Sequence, residues 1–400
     1  MSLKLFEYEA MKKLVILLLI AVNFLNCQRA NQSVQVESPH IFKKHPGDAG
    51  YRIPFLSQKT IPLVSIAAVG DIMLGHHTIH YIQTYGVDYP FDSTRQALRQ
   101  SDIAFGNLEA PFTRTGTKFE KTFNFKVPPE YVTGITRSGI DIVTLANNHI
   151  LDYGIEGLKN TLTVLDSVGL AYCGAGLNLE QARKPAIIER NGLRVAFLGY
   201  SLTFPEEFWA TKSRGGTNYP TEASMRASIQ HCDSIADFIV VTFHWGAEGK
   251  NFPKDYQKQY ARLAIDLGAD LVLGHHPHVL QGLEVYKNRL IAYSLGNFTF
   301  SSYSRRATES MILKVYLVEE GLFFAKIIPL SVDNYETEFQ PRIVTGARAR
   351  AVIKNLQTYS EPLNPRQIID DDGYIWGRRL ALSDSYYAAD EKNNSSKGSN

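Results

Sequence analysis

The chain has 400 residues, 44% of them hydrophobic and 20% charged, which is ordinary for a globular protein able to bury a substantial core. Lys+Arg 42 against Asp+Glu 40 leaves a formal charge of only +2. No basic cluster is interleaved with aromatics, so attraction to nucleic-acid phosphates has no source and nucleic acid is not expected as a partner.

The first element is MKKLVILLLIAVNFLNC, residues 11–27: two lysines, an apolar stretch and a cysteine, the layout of a secretory signal peptide. The stretch is shorter than the roughly 20 residues of a membrane span. Met11, directly before the lysines, is the expected start of translation. Asn26-Cys27 resembles a bacterial lipobox, which makes Cys27 the expected lipidation site, with plain secretion and an uncleaved anchor as alternatives. Each places the chain outside the cytoplasm, and the lipidated form would be a membrane-anchored lipoprotein of the cell envelope. Residues 28–60 are polar and mixed and read as a tether, with a reach of about 30 Å. Cys173 and Cys232 are the cysteines left, too few for a disulfide framework.

From residue 61 the chain alternates apolar runs with amphipathic helices. The strand-like runs are 62–70, 101–107, 140–148, 236–246 and 269–276, and helical periodicity fits 153–168, 221–235 and 253–267. Alternation of this kind predicts an α/β fold with covered sheets. Asn191-Gly192 between two apolar runs predicts a hairpin. Further hairpins are expected after residue 281, so part of the sheet structure should be antiparallel. The domain is expected to end near 330, followed by an extension over 331–400 whose tail, DEKNNSSKGSN, is disordered by composition.

Each apolar run ends in residues able to bind a metal: Asp71, then Asn107 and Glu109, then Asn148 and His149, then His244, then His275, His276 and His278. In open α/β sheets the crevice beyond the strand C-termini is where ligands bind. Imidazole with carboxylate suits zinc, manganese or iron, and the lack of nearby cysteines argues against a thiolate zinc site. If the HHPH segment is extended, His276 and His278 share a face roughly 7 Å apart and His275 points away. Plainer readings exist for each residue alone: Asp71 as a turn former, His244 as a core histidine, Asp152 as a helix cap. The recurrence at successive strand ends favours one metal-binding crevice. No Ser-His-Asp elbow or Walker loop is present.

The segments AAVGDIMLG, FGNLEAPFT, TLANNHILDYG, TFHWGAE, GHHPHVLQGLEVY and AYSLGNF, in that order over residues 62–330, resemble the bacterial capsule-synthesis CapA family associated with poly-γ-glutamate. That family is related to the calcineurin-like metallophosphoesterases. The resemblance implies a four-layer αββα sandwich holding one or two divalent cations at one edge. It implies Asp71, Asn148, His244, His276 and His278 as metal ligands, Glu109 as the remaining carboxylate with Asn107 as the lesser candidate, and His149 as general acid or transition-state stabiliser. Where the phosphoesterase pattern has a histidine two places after the aspartate, this chain has Met73. Lys126, Asn107 and Asn297 are candidate substrate contacts. The expected function is a metal-dependent hydrolase acting on an anionic polymer or a phosphorylated substrate at the cell surface, alongside other capsule-synthesis proteins. The alternative is a tethered, non-catalytic accessory protein for capsule assembly or export.

Overall fold

The computed structural model describes residues 63–377. The signal segment with Cys27, the tether and the C-terminal tail lie outside the described residues. Among the described residues, no helix is long and apolar enough to cross a membrane.

Alternating side chains explain the layering. In β1 (Val64–Met73), Ile66 and Ala68 face one apolar cluster while Ala67 and Val69 face another, so both faces of the strand are buried. β1 runs parallel to β2 (Ile103–Leu108), which runs parallel to β3 (Ile142–Thr144), and Ala171–Cys173 follows, also parallel. On its other side β1 pairs antiparallel with Glu309–Val318, which forms a hairpin with Gly321–Ser331. The second sheet centres on β4 (Phe238–His244) and β5 (Leu271–His275), parallel neighbours flanked by the hairpins Ala186–Arg190/Leu193–Ser201 and Leu283–Tyr286/Arg289–Ala292. The first of these turns on Asn191 and Gly192, both at positive φ (55° and 76°), as their sequence predicts.

Phe105 and Ile142 of the first sheet meet Phe197, Val240 and Leu273 of the second in the central core. The helix Gly154–Val168 covers the outer face of the first sheet through Leu158, Leu162 and Leu165. Glu222–Asp233 and Asp255–Asp266 cover the second through Met225, Ile229, Ala261 and Ala264. The result is the expected αββα sandwich, with helices close to their expected spans. One run differs: strand structure expected over 140–148 is confined to Ile142–Thr144, and the residues after it form a loop.

Two further features bear on the site. β6 (Asn297–Phe300) follows the second sheet but pairs parallel with β1 in the first, placing Asn297 opposite Asp71. Here the backbones approach closely: the Asp71 N–H donates to the Gly296 carbonyl at 3.0 Å, and a Cβ on Gly70 would lie 1.9 Å from that oxygen. After residue 330 the chain continues into the same compact unit. Arg342–Ile343 and Tyr374–Trp376 both pair with Gly321–Ser331, and the helix Gly346–Ser360 puts Val352, Ile353 and Leu356 into the central core.

Candidate metal centre

The parallel strands of both sheets deliver their C-terminal residues to one edge of the sandwich. Asp71 lies in β1 with Asn107 of β2 directly opposite, and Glu109 follows β2. His244 and His275 are opposite each other at the ends of β4 and β5. Asp71, Asn107, Glu109 and His275 have no exposed surface, and His244 has 1%.

Asp71 and Glu109 are brought together by an amide. The Asn107 side-chain nitrogen donates to Asp71 Oδ1 at 2.8 Å and to Glu109 Oε2 at 3.0 Å, and it lies 3.4 Å from His244 Nδ1. Asn107 is fixed in turn by Asn147, whose side-chain nitrogen donates to Asn107 Oδ1 at 3.0 Å and to the Leu108 carbonyl at 2.8 Å. Asn148 Oδ1 sits 2.7 Å from His244 Nε2, which is 3.6 Å from Glu109 Oε1. His278 Nδ1 lies 3.1 Å from Asp71 Oδ2 and 3.0 Å from Asn297 Oδ1, with its Nε2 3.8 Å from Glu109 Oε1.

The histidine segment departs from the extended geometry its sequence suggests. His276 and His278 both adopt positive φ (93° and 59°), a conformation costly for residues with a side chain and concentrated at functional sites. Their ring centroids are 5.9 Å apart, and His276 lies 4.8 Å from the ring of His244. Nor does His275 point away. In β5 it shares a face with Leu271 and Leu273, which enter the central core, so its Nδ1 reaches Asp71 Oδ1 at 3.2 Å, and the His276 N–H faces Asp71 Oδ2 at 3.4 Å.

Burial and neighbouring charge set the protonation of the centre. Burial raises Asp71, but hydrogen bonds from His275 and His278 outweigh it and hold the carboxyl well below its usual range. Glu109, buried and facing the charge of Asp71, is pushed well above its usual range. Burial depresses His244, and it depresses His276 to about 3, leaving both imidazoles neutral. Burial also opposes the charge on His278, yet Glu109 and Asp71 raise it to about 9.

These residues fit a divalent cation. Glu109 Oε1 and His276 Nδ1 are buried with no hydrogen-bond partner among the described residues, a cost that coordination would remove. One donor atom from each of Glu109, His244 and His276 falls within a 4.8 Å cluster, and the same holds for Asp71, Glu109 and His278. Glu109 belongs to both groups. Nitrogen and oxygen donors without thiolate suit zinc, manganese or iron.

His149 stands beside this cluster in the loop after β3. Its Nδ1 is 2.8 Å from Asp152 Oδ2, and its N–H donates to Asn147 Oδ1 at 3.1 Å. Asp152 is not a helix cap: the helix begins at Gly154 behind Tyr153, and the Asp152 carboxylate instead holds His149, the Phe125 N–H and the Lys121 ammonium. Lys121 also donates to the Asn148 carbonyl. Lys126, expected as a substrate contact, places its ammonium 3.2 Å from the Arg114 carbonyl and 4.6 Å from the Tyr153 ring centroid. Asn297 contacts His278. The sequence reading missed Asn147 and the role of His275. The Asn147-Asn148 doublet was a signal for the first, and strand alternation, which puts His275 on the face of Leu271 and Leu273, was one for the second.

Next to His278 and Asn297 opens a cavity of about 290 Å³, bordered by Glu248, Phe300, Ser302 and Arg306.

Residues 65–302 match the family model described as bacterial capsule synthesis protein PGA_cap. The chain is similar to the capsule biosynthesis protein CapA of Bacillus anthracis, 34% identical over 292 residues, covering 71% of this chain and 70% of that protein. It is similar to the PGA biosynthesis protein CapA of Bacillus subtilis (strain 168), 32% identical over 297 residues, covering 74% and 78% respectively. Among solved structures, the NAD nucleotidase of Haemophilus influenzae aligns with 84% of this chain and 68% of its own at 13% identity, with a TM-score of 0.42.

Proposed function

Because the chain belongs to the bacterial capsule synthesis PGA_cap family, we propose that it serves capsule polymer production as a metal-dependent hydrolase acting on an anionic cell-surface substrate. The observation carrying this reading is the gathering of Asp71, Glu109, Asn148, His244, His276 and His278, from two sheets, around a buried carboxylate oxygen that lacks a donor.

In this reading Glu109, Asn148, His244 and His276 hold one divalent cation, and Asp71, Glu109 and His278 a second. A cation held there supplies Lewis acidity and makes water a competent nucleophile near neutral pH. Asn107, donating to both carboxylates, ties them together and fixes their orientation. His149, its Nδ1 fixed by Asp152, offers Nε2 to the leaving group or to developing charge. The cavity beside His278 admits the substrate, and Arg306 at its border complements an anion, a phosphate ester or the carboxylates of a γ-linked glutamate polymer alike.

Purified protein should contain manganese, iron or zinc and hydrolyse one member of a panel of phosphomonoesters, phosphodiesters and γ-glutamyl polymers, and His149→Ala should remove turnover while retaining metal. A metal-loaded protein inert across the panel would leave the accessory reading instead. That second reading is supported by Met73, two residues after Asp71, whose sulfur accepts the Gly75 N–H at 3.2 Å and adds no strong ligand. Export and lipid anchoring at Cys27 belong to the same proposal. Cys27→Ala should move the protein from the membrane to the soluble fraction, and unchanged fractionation would remove the anchor.

A further inference from the structure

The turn after β4 carries a carboxylate with no role in the centre as described. Glu248 is exposed and lies between Gly246 and Gly249, both at positive φ (94° and 68°). This turn is tied to the histidine segment, since the Gly249 N–H donates to the Pro277 carbonyl at 2.9 Å. One oxygen of Glu248 and one ring nitrogen from each of His276 and His278 consequently lie within 4.8 Å of one another. Among the described residues Glu248 has no hydrogen-bond or ion-pair partner.

Counting donors shows which cation it would join. An imidazole nitrogen has one lone pair and serves one cation. His276 completes the group with Glu109, His244 and Asn148, which gives that cation four protein donors. His278 joins Asp71 and Glu109, which gives the other only three. First-row divalent cations with oxygen and nitrogen donors take four to about six. Glu248 stands on the open side of His278, where both border the cavity.

We propose that Glu248 is a ligand of the cation held by His278, closing its coordination on the side facing the cavity. This rests on the metal-centre reading above. A carboxylate on an exposed turn, rather than on a buried strand, makes this cation the more exchangeable of the two.

The test is titration of the metal-stripped full-length protein with Mn²⁺ alone, by calorimetry and by metal analysis after dialysis. Wild type is expected to bind two equivalents. Glu248→Gln should lose one equivalent or weaken it by at least ~10-fold, the scale at which even outer partners of a metal act, with the other unchanged. Glu248→His, which restores a donor atom, should keep the second equivalent, and melting curves of both variants confirm folding. Two equivalents bound with equal affinity by wild type and Glu248→Gln would overturn the assignment. So would a single equivalent in wild type, although the metal-centre reading would then stand. Wild type that binds no Mn²⁺ would overturn both.

Discussion

The Nδ1 of His149 and the Oδ2 of Asp152 lie 2.8 Å apart, and the ammonium of Lys121 closes on the same carboxylate. A histidine held this way has one nitrogen committed to orientation and one left for chemistry. Asp152→Asn should therefore lower turnover by on the order of 10²-fold, within the range general acid–base groups contribute, while metal content stays at its wild-type level. Steady-state kinetics paired with metal analysis provides the check, and unchanged turnover would remove the orienting role.

Glu109 presents the opposite balance, a carboxylate whose burial beside Asp71 is unfavourable until a cation arrives. Glu109→Gln should leave the metal-free protein at least as stable as wild type. In wild type, Mn²⁺ at 100 times its Kd should add about 2.7 kcal/mol by mass action. The variant should lose most of that gain, as read from melting temperature with and without metal. A variant still stabilised to the wild-type extent would show that Glu109 is not a ligand.

Gly70 is fixed by backbone proximity. With a Cβ there only 1.9 Å from the Gly296 oxygen, Gly70→Ala must push β6 away from β1, and with it Asn297 from His278. Destabilisation of about 1–3 kcal/mol is expected from overpacking, together with weakened metal binding. Denaturant melts and Mn²⁺ titration measure the two effects, and normal binding would mean that β6 does not position the centre.

Lys314 offers a test remote from the site. It lies in the strand Glu309–Val318 with its ammonium 3.2 Å from Gln100 Oε1, and burial lowers it from 10.5 to about 8. Between about pH 8 and 10.5 the unfolded chain thus binds more protons, so rising pH favours the folded state. Below that window both states are charged and the folded one bears the whole burial cost, about 3 kcal/mol. Lys314→Met should stabilise the protein at pH 7, with the gain fading towards pH 10. Equal gains at both pH values in urea unfolding would contradict this.

The gathering of Asp71, Glu109, Asn148, His244, His276 and His278 at one edge was legible because apolar runs stop at polar residues where a sheet meets its crevice; that they hold a metal is the proposed reading. Their local geometry was not legible. His275 shares the strand face of Leu271 and Leu273 and so meets Asp71, whereas two left-handed residues in HHPH set His276 and His278, and residue spacing carries no sign of φ. Lys121 comes from a loop without periodicity, and Asp152 reads as a cap in sequence although the helix starts beyond it. The return of β6 to the first sheet is a long-range pairing that local pattern does not encode.

That return has a thermodynamic corollary. Asp71 and Glu109 are anchored in one sheet and its following turn, His244 and the histidine turn in the other, so a cation held there as proposed would rivet the two halves of the sandwich together. Either half alone would offer an incomplete set of donors. Cation affinity would then be a gauge of how well the sheets are docked, and loosening of the central core far from the edge would be felt there as weaker binding before any helix or strand had melted.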